Sequence, residues 1–168
     1  MNTYQHYILD FDRTMFDTEA FYEATAGHAN MFTPRIWDEF LADDFIYPDV
    51  AAFVARAAGA RFTIVSASAD KYGREAVAYQ ERKVRSSWLG TRADGVHIVP
   101  GLKGEMVASL VHPNETTVFI DDSILQLNDV SKQVPGVTCL QIVRPTAVVE
   151  ISISSLHEVM YALGPQPS

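Results

Sequence analysis

Five short apolar runs frame this chain: HYILD (6–10), RFTIVS (61–66), GVHIV (95–99), TTVFID (116–121) and VTCLQIV (137–143). Each is rich in β-branched or aromatic residues and nearly continuous in apolar character, the pattern of strands covered on both faces. Stretches of helical spacing separate them: DVAAFVARAAG (49–59), which Gly59 is placed to end, then ADKYGREAVAYQERKVRSSW (69–88), KGEMVASLV (103–111) and SILQLNDVSKQV (123–134). A further one, ISSLHEVMYALG (153–164), closes the chain. Alternating strands and helices specify an α/β fold, a doubly wound, Rossmann-like parallel sheet with helices on both faces. A length of 168 residues fits one domain with room for a sizeable core.

Residues 17 to 47 break the rhythm. DTEAFYEATAGHANMFTPRIWDEFLADDFIY holds two helical patterns split near Thr33-Pro34, an N-cap followed by proline at the first helical position. A direct crossover needs no such insertion. The expected organisation is a core of residues 1–16 and 48–168, with 17–47 as a small helical cap inserted after the first strand. Tyr22, Phe32, Trp37 and Phe40 read as packing residues of that cap, and ERKVR (81–85) as a solvated helix face.

Composition removes several classes of function. A net charge of −8 argues against a broad nucleic-acid surface, which needs clustered Lys and Arg. It leaves room for a small phosphorylated substrate, because a bound cation can invert the local sign. The lone Cys139 lies in an apolar run and reads as a small buried hydrophobe. Acidic residues interrupt the first apolar stretch, unlike a secretory leader, and no run approaches a membrane span. The expectation is a soluble cytoplasmic protein with no membrane partner.

In an open α/β sheet, ligands bind beyond the carboxyl ends of the strands. The first strand ends at Asp10, with Asp12 and Thr14 following; the second ends at Ser66, and the fourth at Asp121-Asp122. Lys103 opens the helix before the fourth. Carboxylates, a hydroxyl and a lysine converging there suit phosphoryl transfer. A carboxylate can attack phosphorus, and a second carboxyl group can protonate the leaving oxygen and then deprotonate water. Magnesium takes hard oxygen ligands, and a cation makes the closeness of like charges favourable. Lysine and hydroxyl donors can hold the transferring oxygens.

These residues carry a resemblance. DFDRT (10–14) resembles the first motif, Asp-x-Asp-x-Thr after an apolar strand, of the haloacid dehalogenase-like phosphohydrolase superfamily. TIVSAS (63–68) is similar to its second motif, Lys103 in GLKGE to its third, and VFIDDS (118–123) to its fourth. The resemblance spans roughly residues 5 to 145. It implies a magnesium-dependent phosphomonoester hydrolase. Asp10 would be the nucleophile and a metal ligand. Asp12 would be the general acid/base and ligate the metal through its backbone carbonyl. Thr14 would support that loop, with Asp12 as its expected partner. Ser66 and the neighbouring Ala67 would meet phosphoryl oxygens near a helix N-terminus, with Ser68 the secondary hydroxyl. Lys103 would neutralise phosphoryl group and nucleophile, Asp122 would complete the magnesium site, and Asp121 would be its neighbour or a water-mediated ligand.

Two departures stand out. Arg13 occupies a position where the family commonly has glycine. In the fourth motif, Leu125 and Gln126 occupy positions where Asp or Asn is frequent, while Asn128 and Asp129 come slightly later. Phosphotransfer to another acceptor, as in sugar phosphomutases of the superfamily, and a catalytically silent phosphate- or metal-binding regulatory module are the alternatives.

Overall fold

The computed structural model describes residues 4–68 and 73–144, so the expected closing helix at 153–164 lies outside the described residues. Strands β1 (His6–Leu9), β2 (Arg61–Ser68), β3 (Gly95–Pro100), β4 (Thr117–Asp121) and β5 (Thr138–Gln141) form one sheet in the order β3-β2-β1-β4-β5. All four pairings are parallel. His6 sits opposite Arg61 on one side and Thr117 on the other, so β1 is central and its end opens where strand order reverses.

Side chains alternate across the strands and divide the core into two layers. Tyr7, Leu9, Phe62, Ile64, Val118 and Ile120 pack on one face with α2 (Val50–Arg56), α3 (Gly73–Ser86) and α4 (Trp88–Arg92). Ile8, Val65, Val99 and Phe119 pack on the other with α5 (Gly104–Leu110) and α6 (Ile124–Gln133). Sheet and helices thus form the doubly wound arrangement that the continuous apolar strands demand.

The helix expected over 69–88 is α3, described from Gly73 and ending at Ser86. A short helix not expected from the sequence, α4, follows, with Ser87 in extended backbone capping it through a side-chain oxygen that accepts from the Gly90 N–H at 3.1 Å. A Cβ at position 90 would lie 2.1 Å from the Val84 carbonyl oxygen, so the tight joint requires glycine. Among the described residues no helix is long and apolar enough to cross a membrane.

Residues between β1 and α2 hold α1 (Thr18–Ala24) and two 3-10 turns, Pro34–Asp38 and Ala42–Phe45. Asp17 caps α1 by accepting from the Ala20 N–H, and Pro34 does open its turn, after an extended Thr33. The second helical pattern is therefore realised as short 3-10 turns, with Glu39 closing the first. An aromatic cluster ties this segment down: Phe21 stacks on Trp37 at 4.8 Å and meets Phe45 edge-on at 5.3 Å, with Phe16 beneath them. These side chains continue the core layer of α2 and α3.

Candidate active site

The chain leaves β1 at Leu9 and closes a tight turn at once. Met15 and Phe16 N–H both donate to the Phe11 carbonyl at 2.9 Å, and Arg13 N–H donates to the Phe16 carbonyl at 2.8 Å. Arg13 has φ +57°, the left-handed region that glycine adopts most freely. Its guanidinium turns outward to Glu19 at 2.8 Å, both side chains half exposed. The turn leaves the Asp10 and Asp12 carboxylates in different surroundings. Arg144, from beyond β5, braces it: its guanidinium donates to the Thr14 carbonyl at 2.6 and 3.0 Å and to both Asp49 oxygens, and lies 4.1 Å from the Tyr47 ring.

Asp10 faces the ends of β4 and α5. Lys103, 1% exposed, donates to Asp10 Oδ1 and, at 2.7 Å, to Asp121 Oδ2. Thr14 Oγ1 donates to Asp10 Oδ2 at 2.9 Å. The threonine therefore supports Asp10 rather than its expected partner Asp12, because the turn folds residue 14 back over the strand end. Asp121 Oδ1 accepts from the Ser123 N–H at 2.8 Å, and Gln141 donates to the Asp122 carbonyl at 3.0 Å. One oxygen each from Asp10, Asp121 and Asp122 lie within 4.8 Å of one another.

Electrostatics follow from this crowding. Burial pushes the Asp10 carboxyl up to about 6 against the pull of Lys103, with Asp121 pushing the same way. Burial likewise raises Asp121, and burial followed by Asp10 raises Asp122. Burial alone would lower Lys103, yet Asp10 and Asp121 together hold it above the usual lysine range. Three neighbouring carboxyl groups raised in this way form a hard-oxygen donor set that a small divalent cation would relieve, and magnesium fits it.

The lysine is placed by residues that look irregular in the fourth motif. Lys103 N–H donates to Gln126 Oε1 at 3.0 Å, and Gln126 Nε2 donates to the Gly101 carbonyl at 3.0 Å. Gly104 N–H donates to Asp129 Oδ2 at 2.6 Å; a Cβ at 104 would sit 2.5 Å from that oxygen. The departure at Gln126 and the later Asp129 thus serve the lysine loop from α6.

Asp12 points the other way. Its carboxylate accepts from Thr18 Oγ1 at 2.9 Å, from Gln80 Nε2 and from Lys83 Nζ. Although burial opposes it, the Lys83 ammonium holds this carboxyl below its usual range. Gln80 Nε2 also reaches Ser66 Oγ at 2.8 Å, so the fully buried serine joins the same network. Ser68 Oγ instead lies 3.5 Å from the Val99 carbonyl, while Ala67, between the two serines, is half-buried. Lys83 corrects the reading of ERKVR as a solvated face. Glu81, Arg82 and Arg85 are exposed, but Lys83 is 4% exposed because it falls on the stripe of α3 that carries Val84 inward.

The structure therefore brings Asp10, Thr14, Lys103, Asp121 and Asp122 to one point, with Asp12 and Ser66 joined beside it through α3. Gln80 and Arg144 are not singled out in the sequence reading, which assigns Lys83, Gln126 and Asp129 none of these contacts. No protein-family model matches the sequence, and no curated protein sequence does. Solved structures do. A haloacid dehalogenase-like family hydrolase from Xanthomonas campestris superposes with a TM-score of 0.56 at 15% identity, over 96% of this chain and 92% of that one. A haloacid dehalogenase-like hydrolase from Burkholderia xenovorans gives 0.55 at 17% identity, over 82% and 81%. A haloacid dehalogenase-like family protein from Streptococcus pneumoniae gives 0.54 at 10% identity, over 96% and 91%. The chain has the fold of the haloacid dehalogenase-like hydrolases.

Proposed function

We propose that this chain is a cytoplasmic, magnesium-dependent phosphomonoester hydrolase acting on a small phosphorylated substrate. The observation that carries the reading is the divergence of two carboxylates from one tight turn. Asp10 faces a lysine and two further carboxylates, whereas Asp12 faces donors from α1 and α3. That separates an attacking group from a proton-transferring group two residues away.

In this reading Asp10 attacks phosphorus to form an aspartyl-phosphate, held by Thr14 on its other oxygen. Lys103 neutralises the nucleophile and the transferring oxygens. Ser66, and the chain at Ala67, bind a phosphoryl oxygen. Asp12 takes up a proton as substrate binds, gives it to the leaving oxygen, and as a carboxylate again takes a proton from the attacking water. Asp10, Asp122, Asp121 and the Asp12 backbone carbonyl would hold magnesium, which when bound supplies positive charge for the phosphoryl oxygens. Residues 17–47 serve as the cap over the core of 1–16 and 48–168, shaping access to the site.

The test is p-nitrophenyl phosphate hydrolysis with and without magnesium, by the natural chain and by Asp10→Asn. Turnover that needs the metal and disappears in the variant supports the reading. A natural chain inactive across a broad phosphoester panel overturns it.

A further inference from the structure

Helix α3 buries two polar side chains that the chemistry above does not use. Gln80 and Lys83 are 5% and 4% exposed and lie three residues apart, on one face of the helix. Burying an amide and an ammonium group is costly unless both are bonded. Both are, and to the same carboxylate, that of Asp12. The Lys83 ammonium is boxed by rings, 5.0 Å from the Phe16 centroid, 5.5 Å from Tyr79 and 5.9 Å from Phe11, which fixes where its charge sits.

Hydrogen-bond chemistry fixes the sense of the network. A carboxylate only accepts, so the Gln80 amide turns its nitrogen to Asp12. The same nitrogen faces Ser66 Oγ, which therefore accepts from it. The serine's own proton is then left free to donate to a group other than Gln80. One amide thus sets both the direction of the Asp12 carboxylate and the direction of the Ser66 hydroxyl proton.

We infer that Gln80, backed by the boxed ammonium of Lys83, is a positioning residue that aligns the proton-transferring carboxylate of Asp12 with the phosphoryl-binding hydroxyl of Ser66. The inference rests on the phosphatase reading and adds to it a residue outside all four motifs. Its consequence is specific to the leaving group. A displaced Asp12 protonates the departing oxygen poorly, which matters for alkyl phosphates and little for aryl phosphates whose leaving group departs as a stable anion.

The experiment compares kcat/KM of the natural chain and Gln80→Met, with magnesium, on a series of alkyl and aryl phosphates graded by leaving-group pKa. Gln80→Leu stands in if the methionine variant melts early, and circular dichroism shows which variant is folded. The expected result is a loss of about tenfold or more on alkyl phosphates and a much smaller loss on p-nitrophenyl phosphate, steepening the dependence on leaving-group pKa. Inorganic phosphate should also inhibit the variant less strongly, since Ser66 loses its orientation. An equal loss on every substrate, or none, overturns the positioning role and leaves the phosphatase reading standing. A natural chain inactive on the whole series overturns both.

Discussion

Replacing Lys103 with methionine removes a buried ammonium group from between Asp10 and Asp121 while keeping almost the same side-chain volume. The effect is therefore electrostatic, with little cavity formation. Lys103 is 1% exposed and bonds both carboxylates, so neither can turn to water when it is lost. Stranding buried carboxylates in this way costs about 3–5 kcal/mol at neutral pH, a large share of the roughly 5–15 kcal/mol that holds a domain folded. The sign of the pH dependence follows from Asp10, which burial already lifts to about 6 with the lysine present. Without the lysine it rises further, as does Asp121. A carboxyl group whose folded pKa exceeds its unfolded value binds extra protons in the folded state, so stability falls as pH rises between the two. The deficit of Lys103→Met should be largest above about pH 7 and shrink toward about pH 4, where both carboxyl groups are neutral in the folded variant. Urea unfolding followed by circular dichroism at the two pH values measures it. A deficit under about 1 kcal/mol at neutral pH, or one equal at both, would refute the claim that the lysine chiefly balances buried charge.

Magnesium alone should raise the melting temperature, and by more at about pH 7.5 than at about pH 5, because Asp10 must lose its proton to ligate; an unchanged shift in Asp10→Asn/Asp122→Asn would count against the acidic cluster as its site. His6 provides an opposite slope: Arg61 donates to its Nδ1 at 2.9 Å, so Nε2–H donates to Thr63 at 2.8 Å, and burial and then Arg61 lower it from 6.5 to about 4. The folded state then binds fewer protons than the unfolded one over that window, and about 3 kcal/mol of stability should disappear between about pH 6.5 and pH 4 relative to His6→Gln; parallel pH curves for the two proteins would exclude this. Gln126→Ala should cost about 1 kcal/mol and lower kcat more than it raises KM, since it frees the backbone that carries Lys103; unchanged kcat would show that the lysine needs no such support. Arg13→Gly releases about 1 kcal/mol of left-handed strain, offset by added chain entropy and a lost surface ion pair, so thermal unfolding should stay within about 1 kcal/mol of the natural chain.

Strand ends were the legible part of this molecule. Asp10, Lys103 and Asp121-Asp122 each sit where a strand stops or a helix begins, and a parallel sheet brings such points together whatever the intervening sequence. Ser66, expected at the end of its strand, lies inside β2, which runs on to Ser68. Boundaries were less legible where one residue decides them. Gly90 lies two residues beyond the helical stretch read over 69–88, and its close approach to Val84 exists only once α4 has folded back. The second half of the inserted segment has helical spacing, yet packs as 3-10 turns around Trp37.

What stayed hidden is long-range. Arg144 is 130 residues from Thr14, Lys83 is 71 from Asp12, and Gln126 is 23 from Lys103. No local pattern joins these pairs, and each looks like an ordinary surface polar residue on its own segment. Lys83 did leave a trace in the sequence. Gln80, Lys83 and Val84 share one stripe of a helix, so the wheel that sends Val84 into the core must send the amide and the ammonium with it. A polar group on the buried stripe of an amphipathic helix needs a partner of opposite character, and the acidic turn after β1 supplies one. The same argument explains Arg13: a turn tight enough to send Asp10 and Asp12 in opposite directions takes the residue just after Asp12 to positive φ. The unusual residue in that turn is thus a consequence of separating the two carboxylates, and its side chain had to leave the site for Glu19.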